Sequence, residues 1–107
     1  LTDARATAGT AVETKIAGAI ATVTFTGTEV RWLGYHFDGG GIARVYIDGA
    51  FVGEVDQYSP VEILQGETFA ATGLARGTHT LTIEVTGTKR PESTNTWVLV
   101  DAFDVVP

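Results

Sequence analysis

Apolar and polar residues alternate along this chain in short runs, and turn-forming residues break the runs at regular intervals. Between Ala19 and Thr26, for example, Ala21, Val23 and Phe25 fall on one face of an extended segment and Thr22, Thr24 and Thr26 on the other. A period of two marks a strand with one face in a core. The same pattern predicts strands over Val30–Tyr35, Ile42–Asp48, Phe51–Tyr58, Glu67–Thr72, Thr78–Thr86 and Trp97–Val105, with a further short strand possible within Leu1–Glu13. In Ile42–Asp48, Ala43, Val45 and Ile47 oppose Arg44 and Tyr46; in Thr78–Thr86, His79, Leu81, Ile83 and Val85 face inward. The last strand is apolar on both faces, as expected of a central or covered strand. Mid-strand Trp32 and Phe103 are assigned to the core, and no segment sustains a helical period.

The breaks are of two kinds. Gly27-Thr28, Asp48-Gly49-Ala50 and Gly73–Gly77 are tight, and Asp48-Gly49 is a hairpin signal because both central positions of the favoured turn want a positive φ. Tyr35–Gly41, Gln57–Gly66 and Gly87–Thr96 are long. Tight and long breaks alternate, so if each strand crosses the domain once, all three long loops gather at one pole. They carry Tyr35, His36, Phe37, Asp38, Tyr58, Gln65, Lys89, Arg90 and Asn95, with Trp97 beside them. A β-body that collects its irregular loops at one end generally binds something there. Seven or eight antiparallel strands in 107 residues predict a single domain over 1–107, an all-β, two-sheet sandwich. Immunoglobulin-like and jelly-roll topologies both satisfy the pattern.

Composition narrows the function. Hydrophobic residues make up 44 % and charged residues 19 %, which excludes a disordered tail. No apolar run approaches the roughly 20 residues of a membrane span. A net charge of −6 argues against nucleic acid and anionic membranes and favours a neutral or cationic partner. Without Cys there is no disulfide, thiolate metal site or cysteine nucleophile. The chain also lacks Met, so it is expected to be a piece of something longer.

Three stretches together carry a family likeness: Phe25–Gly34 (FTGTEVRWLG), Gly41–Gly49 (GIARVYIDG) and Thr72–Ile83 (TGLARGTHTLTI), with Val100–Val105 (VDAFDV) closing the chain. In these the sequence resembles the galactose-binding-like jelly rolls, among them bacterial carbohydrate-binding modules of the family 6 and family 35 type. The resemblance covers about residues 3 to 105 and implies a jelly-roll sandwich, secreted or at the cell surface. It implies a module that holds polysaccharide or oligosaccharide beside a glycoside hydrolase domain of the same parent chain, without catalysis. Such modules begin with an acidic strand that helps to bind a structural calcium, a segment this chain opens beyond; no other cofactor is implied. The family's sugar-reading Asn, two residues before the closing Asp, is Leu99 here, and Asn95 in the preceding loop is the substitute.

Sugars are held by aromatic faces against C–H surfaces and by amides and carboxylates at hydroxyls. One ring covering about 50 Å² contributes only about 1–1.5 kcal/mol, so two or three are needed. Tyr58, Tyr35 and Trp97 are the expected stacking rings, with burial as a lid of the core as the alternative for each. Asn95, Asp38, Gln65 and His36 are the expected hydroxyl partners. Phe37 is a platform or an anchor for its loop, and Asp38 to Gly41 reads as a flexible turn. Lys89 and Arg90 are solvated or recognise a carboxylate. His79 is expected to be a satisfied structural residue, and Asp101 to bind backbone amides. No catalytic constellation and no metal set emerges. The competing reading is a structural or adhesive sandwich, a spacer or docking domain without a sugar site.

Overall fold

The computed structural model describes residues 12–100 and 102–107, leaving the side chains of residues 12–14 and 65 outside the description. The strands are β1 Val12–Thr14, β2 Ile20–Thr26, β3 Glu29–His36, β4 Ile42–Ile47, β5 Ala50–Asp56, β6 Ile63–Ala71, β7 Thr78–Val85, β8 Val98–Val100 and β9 Ala102–Val106. No helix occurs among the described residues. One sheet has the order β2-β7-β4-β5 and the other β6-β3-β9, with β8 leading into β9 and pairing with β1. Every strand pairing is antiparallel, and the two sheets form the predicted sandwich.

The alternation places the core as expected. Val23, Phe25, Ala43, Val45, Ile47, Leu81, Ile83 and Val85 of one sheet form a single buried cluster with Val30, Trp32, Phe103 and Val105 of the other and with Val98 and Val100 of β8. Full burial of each large side chain contributes roughly 1.5–3 kcal/mol. Trp32 is wholly buried, and its Nε1 has no hydrogen-bond partner among the described residues.

β6 begins four residues earlier than the predicted Glu67, and Gln65 therefore belongs to a strand rather than a loop. Register shifts between Trp32 and Leu33 and between Gly34 and His36 break the period of two there, and Ile63 and Leu64 are both exposed. A strand without clean alternation is invisible to a pattern search. The expected role of Asp101 falls outside the described residues.

The tight turns share one pole. Asp48 and Gly49 both have positive φ (51° and 83°), the geometry the hairpin signal requires. Gly27 N–H donates to Gly77 O (3.0 Å), Leu74 N–H to Thr28 O (3.0 Å) and Asp48 N–H to Thr80 O (2.8 Å). His79 sits here, half-buried, as a fully satisfied clasp. Its Nδ1 lies 2.7 Å from Asp48 Oδ2 and its Nε2 2.6 Å from the Ala75 carbonyl. Two acceptors facing the two ring nitrogens require both to carry protons. The hydrogen bond to Asp48, then that to Ala75, raises the His79 pKa.

Candidate functional site

The three long loops meet at the opposite pole. Phe37 N–H donates to Gln57 O (3.1 Å) and Ser59 N–H to Phe37 O (2.9 Å), which ties the β3–β4 loop to the β5–β6 loop. Gly41 N–H donates to Trp97 O (2.7 Å), Trp97 N–H to Gly39 O (3.1 Å) and Thr94 N–H to Asp38 O (2.8 Å), which ties it to the β7–β8 loop. The β3–β4 loop is thus the middle layer of the pole.

That layer is not the flexible turn its glycines suggest. A Cβ on Gly40 would fall 2.1 Å from the Gln57 carbonyl oxygen, and one on Gly41 would fall 2.4 Å from Thr96 O. Neither has a positive φ, so these glycines permit close backbone approach rather than an unusual conformation. Two buried side chains lock the layers. Ser93 Oγ lies 2.7 Å from Gly40 O, 2.9 Å from Asn95 O and 3.1 Å from Asp38 O. Gln57, with no solvent exposure, takes both hydrogen bonds of one Leu99 peptide edge: its Nε2 donates to Leu99 O and its Oε1 accepts from Leu99 N–H, each at 2.8 Å. The amide stands in for a strand rung between the loop and β8.

On this frame Tyr35, Tyr58 and Trp97 are all half-exposed, so none has become a sealed lid of the core. Tyr35 stacks on Phe37 at 4.8 Å with 22° between the rings, and its hydroxyl donates to Glu62. Phe37 therefore both anchors its loop and extends an aromatic surface. Tyr58 lies beneath the Arg90 guanidinium, 5.0 Å from the ring centre. Asp56 holds both: Oδ1 accepts from Tyr58 N–H (2.9 Å) and Oδ2 from Arg90 Nε (2.8 Å). Trp97 lies beneath Lys15 Nζ, 5.3 Å from its ring centre. The structure resolves the predicted aromatics into three stations, two roofed by a cation.

The polar candidates differ in what they already hold. His36 Nε2 is 2.8 Å from Thr68 Oγ1. Its burial lowers the ring's pKa, opposed by the Asp56 charge, so the imidazole is neutral at pH 7. Asn95 Oδ1 accepts from Thr96 N–H (2.9 Å). Asp38 and Lys89 are exposed. The Gln65 side chain lies outside the described residues. The hydrogen bond to Glu62, then burial and the charges of Glu62 and Asp38, raise the Tyr35 pKa; Asp56 raises that of Arg90.

Sequence reasoning missed Asp56, Glu62, Lys15, Gln57 and Ser93. Asp56 had a local signal, since it lies two residues before Tyr58 and so on its side of the chain. Lys15 reaches Trp97 because β1 pairs with β8, Thr14 opposite Val98, a juxtaposition no local pattern foretells.

No family model matches the chain. It is 45 % identical over 75 residues to the A type blood N-acetyl-α-D-galactosamine deacetylase of Flavonifractor plautii. It is 38 % identical over 76 residues to the A type blood α-D-galactosamine galactosaminidase of the same organism. Each match takes in 70 % of this chain, which spans only 10 % of the first relative and 7 % of the second. Among solved structures, a family two carbohydrate esterase from Clostridium thermocellum in complex with cellohexaose aligns with a TM-score of 0.55 at 22 % identity, over 86 % of this chain and 26 % of that one. A Paenibacillus sp. cycloisomaltooligosaccharide glucanotransferase complexed with cycloisomaltoheptaose gives 0.59 at 20 %, over 84 % and 13 %. The chain is therefore a β-sandwich of a kind present in carbohydrate-active proteins, and its sequence relatives are carbohydrate-active enzymes of which it matches a small part.

Proposed function

We propose that this domain binds carbohydrate without transforming it, and that it accompanies a catalytic domain in a longer, secreted bacterial protein. The observation that carries the proposal is the pole itself: three half-exposed aromatic stations on loops fixed to one another through their backbones. Three rings at about 1–1.5 kcal/mol each, with hydrogen bonds from groups such as Asp38, Asn95, His36 and Gln65, reach roughly millimolar to micromolar affinity. The relatives add a second line of support. A deacetylase and a galactosaminidase carry out different reactions, yet each contains a stretch similar to 70 % of this chain, so the two stretches overlap. A segment common to two chemistries is expected to serve neither reaction itself. Glycans ending in galactose or its 2-amino derivatives are accordingly the first ligands to test.

Intrinsic fluorescence supplies the assay. Of the two tryptophans, Trp32 is sealed in the core, so a ligand-dependent change reports on Trp97. Titration with a glycan panel is expected to give a saturable response. Tyr58→Ala, followed by calorimetry, should weaken binding about fivefold to tenfold, and Trp97→Ala likewise. A panel without any binder, with both variants folded and indistinguishable from the parent, would favour a spacer domain.

A further inference from the structure

We infer that the ligand of this pole carries a free ammonium group, seated beside the Tyr35–Phe37 pair and recognised by the carboxylates of Asp38 and Glu62. The inference rests on the carbohydrate-binding reading above. Among sugars it selects a 2-amino-2-deoxyhexose with an unsubstituted amine.

The three aromatic stations differ in charge. Tyr58 and Trp97 already lie under Arg90 and Lys15, which repel a second cation. The Tyr35–Phe37 pair is different: among the described residues no cation lies over either ring. Its surroundings are anionic instead. Tyr35 donates its hydroxyl to one oxygen of the exposed Glu62, leaving the other oxygen available. Asp38 follows Phe37 directly and is exposed. Among the described residues no hydrogen bond or ion pair engages its carboxylate; only its backbone oxygen is used. The hydrogen bond ties Glu62 to Tyr35, the rings of Tyr35 and Phe37 stack on each other, and Asp38 is the chain neighbour of Phe37, so one carboxylate adjoins each member of the pair.

An aromatic face flanked by carboxylates is a favourable seat for an ammonium ion. The net charge of −6 adds a long-range attraction in the same direction. A carboxylated sugar fits less well. Arg90 is already neutralised by Asp56, and a ligand anion approaching Tyr35 would meet Asp38 and Glu62.

The test compares three ligands by calorimetry near pH 6.5, where the amine is protonated: the methyl glycosides of galactosamine, N-acetylgalactosamine and galactose. Galactosamine should bind about twofold to 25-fold more tightly than its N-acetyl counterpart, up to about fivefold for each carboxylate. Raising the salt to about 0.5 M should narrow the ratio. Asp38→Asn and Glu62→Gln, the latter still an acceptor for Tyr35, should each cut that ratio by up to about fivefold, with thermal melts confirming the fold. Equal binding of all three sugars, or an amine preference that both variants leave intact, would overturn the inference while leaving carbohydrate binding standing. Absence of binding to these and to every glycan in a wider panel would remove the carbohydrate reading itself.

Discussion

Replacing Gln57 tests whether the loop pole is built as described. Its side-chain amide makes two 2.8 Å hydrogen bonds to Leu99, and its backbone accepts from Phe37 and donates to Gly41. Gln57→Leu keeps the approximate volume but strands a part-buried N–H and a part-buried C=O of Leu99. Each unsatisfied group costs about 1–3 kcal/mol, so the variant should lose about 2–6 kcal/mol. That is a large share of the roughly 5–15 kcal/mol expected of such a domain. Urea unfolding followed by Trp fluorescence measures it. Gln57→Glu sharpens the test. As a carboxylate it turns an oxygen toward Leu99 O and loses the donor; once protonated it can donate again. Its pKa should therefore be raised in the folded state, and its stability should increase as the pH falls from about 7 toward the unfolded value of about 4.3. A Gln57→Leu variant within about 0.5 kcal/mol of the parent, or a Gln57→Glu variant without that acid recovery, would refute the rung.

The neighbouring contacts make further predictions. Gly40→Ala places a methyl group 2.1 Å from a carbonyl oxygen and should cost at least about 1–3 kcal/mol in the same unfolding assay. Ser93→Ala removes the single hydroxyl proton that faces the Gly40, Asn95 and Asp38 carbonyls and should lose about 1–3 kcal/mol, with faster amide exchange confined to residues 38–41 and 93–97. At the other pole the His79 pKa is raised and that of Asp48 lowered, each chiefly by their mutual hydrogen bond. The His79 contribution is complete below about pH 6.5 and is lost as the pH rises through the elevated folded value. The Asp48 contribution is present above about pH 4 and is lost as the pH falls through the depressed one. A plot of Tm against pH should therefore be highest between about pH 4 and 6.5, and Asp48→Asn should flatten its alkaline side.

The architecture was legible because its signals are local. Period-two alternation in β2, β4 and β7 named their buried residues, and Asp48-Gly49 announced its hairpin. The alternation of tight and long breaks then placed three loops at one pole. What stayed hidden depends on chain segments that meet only after folding. Gly39, Gly40 and Gly41 read as a flexible run because sequence cannot show the Phe37 ring against the first and the Gln57 and Thr96 carbonyls pressed against the other two. Gln57 read as the start of a loop, yet it is wholly buried, because its partner is a peptide edge 42 positions away. The aromatics at the pole were identifiable by residue type and position. Their division into stations of opposite charge was not, since it depends on Lys15, Asp56 and Glu62 arriving from separate segments of the chain.

These hidden contacts bear directly on the proposed carbohydrate binding. Ordering a loop at the moment of binding would cost roughly 1–2 kcal/mol for each residue fixed, more than one stacked ring returns. Here the backbone bonds among residues 37–41, 57–59 and 94–97 impose that order during folding, before any ligand arrives. Binding then has to immobilise side chains alone, several of which are already held: Tyr35 by Phe37 and Glu62, and Tyr58 by Arg90, which Asp56 anchors. Weak individual contacts suffice once the surface that presents them is rigid. It follows that Gln57, Ser93 and Gly40, none of which offers a side chain to solvent, should govern affinity as strongly as the exposed rings. Their variants should lose binding while every aromatic remains in the chain.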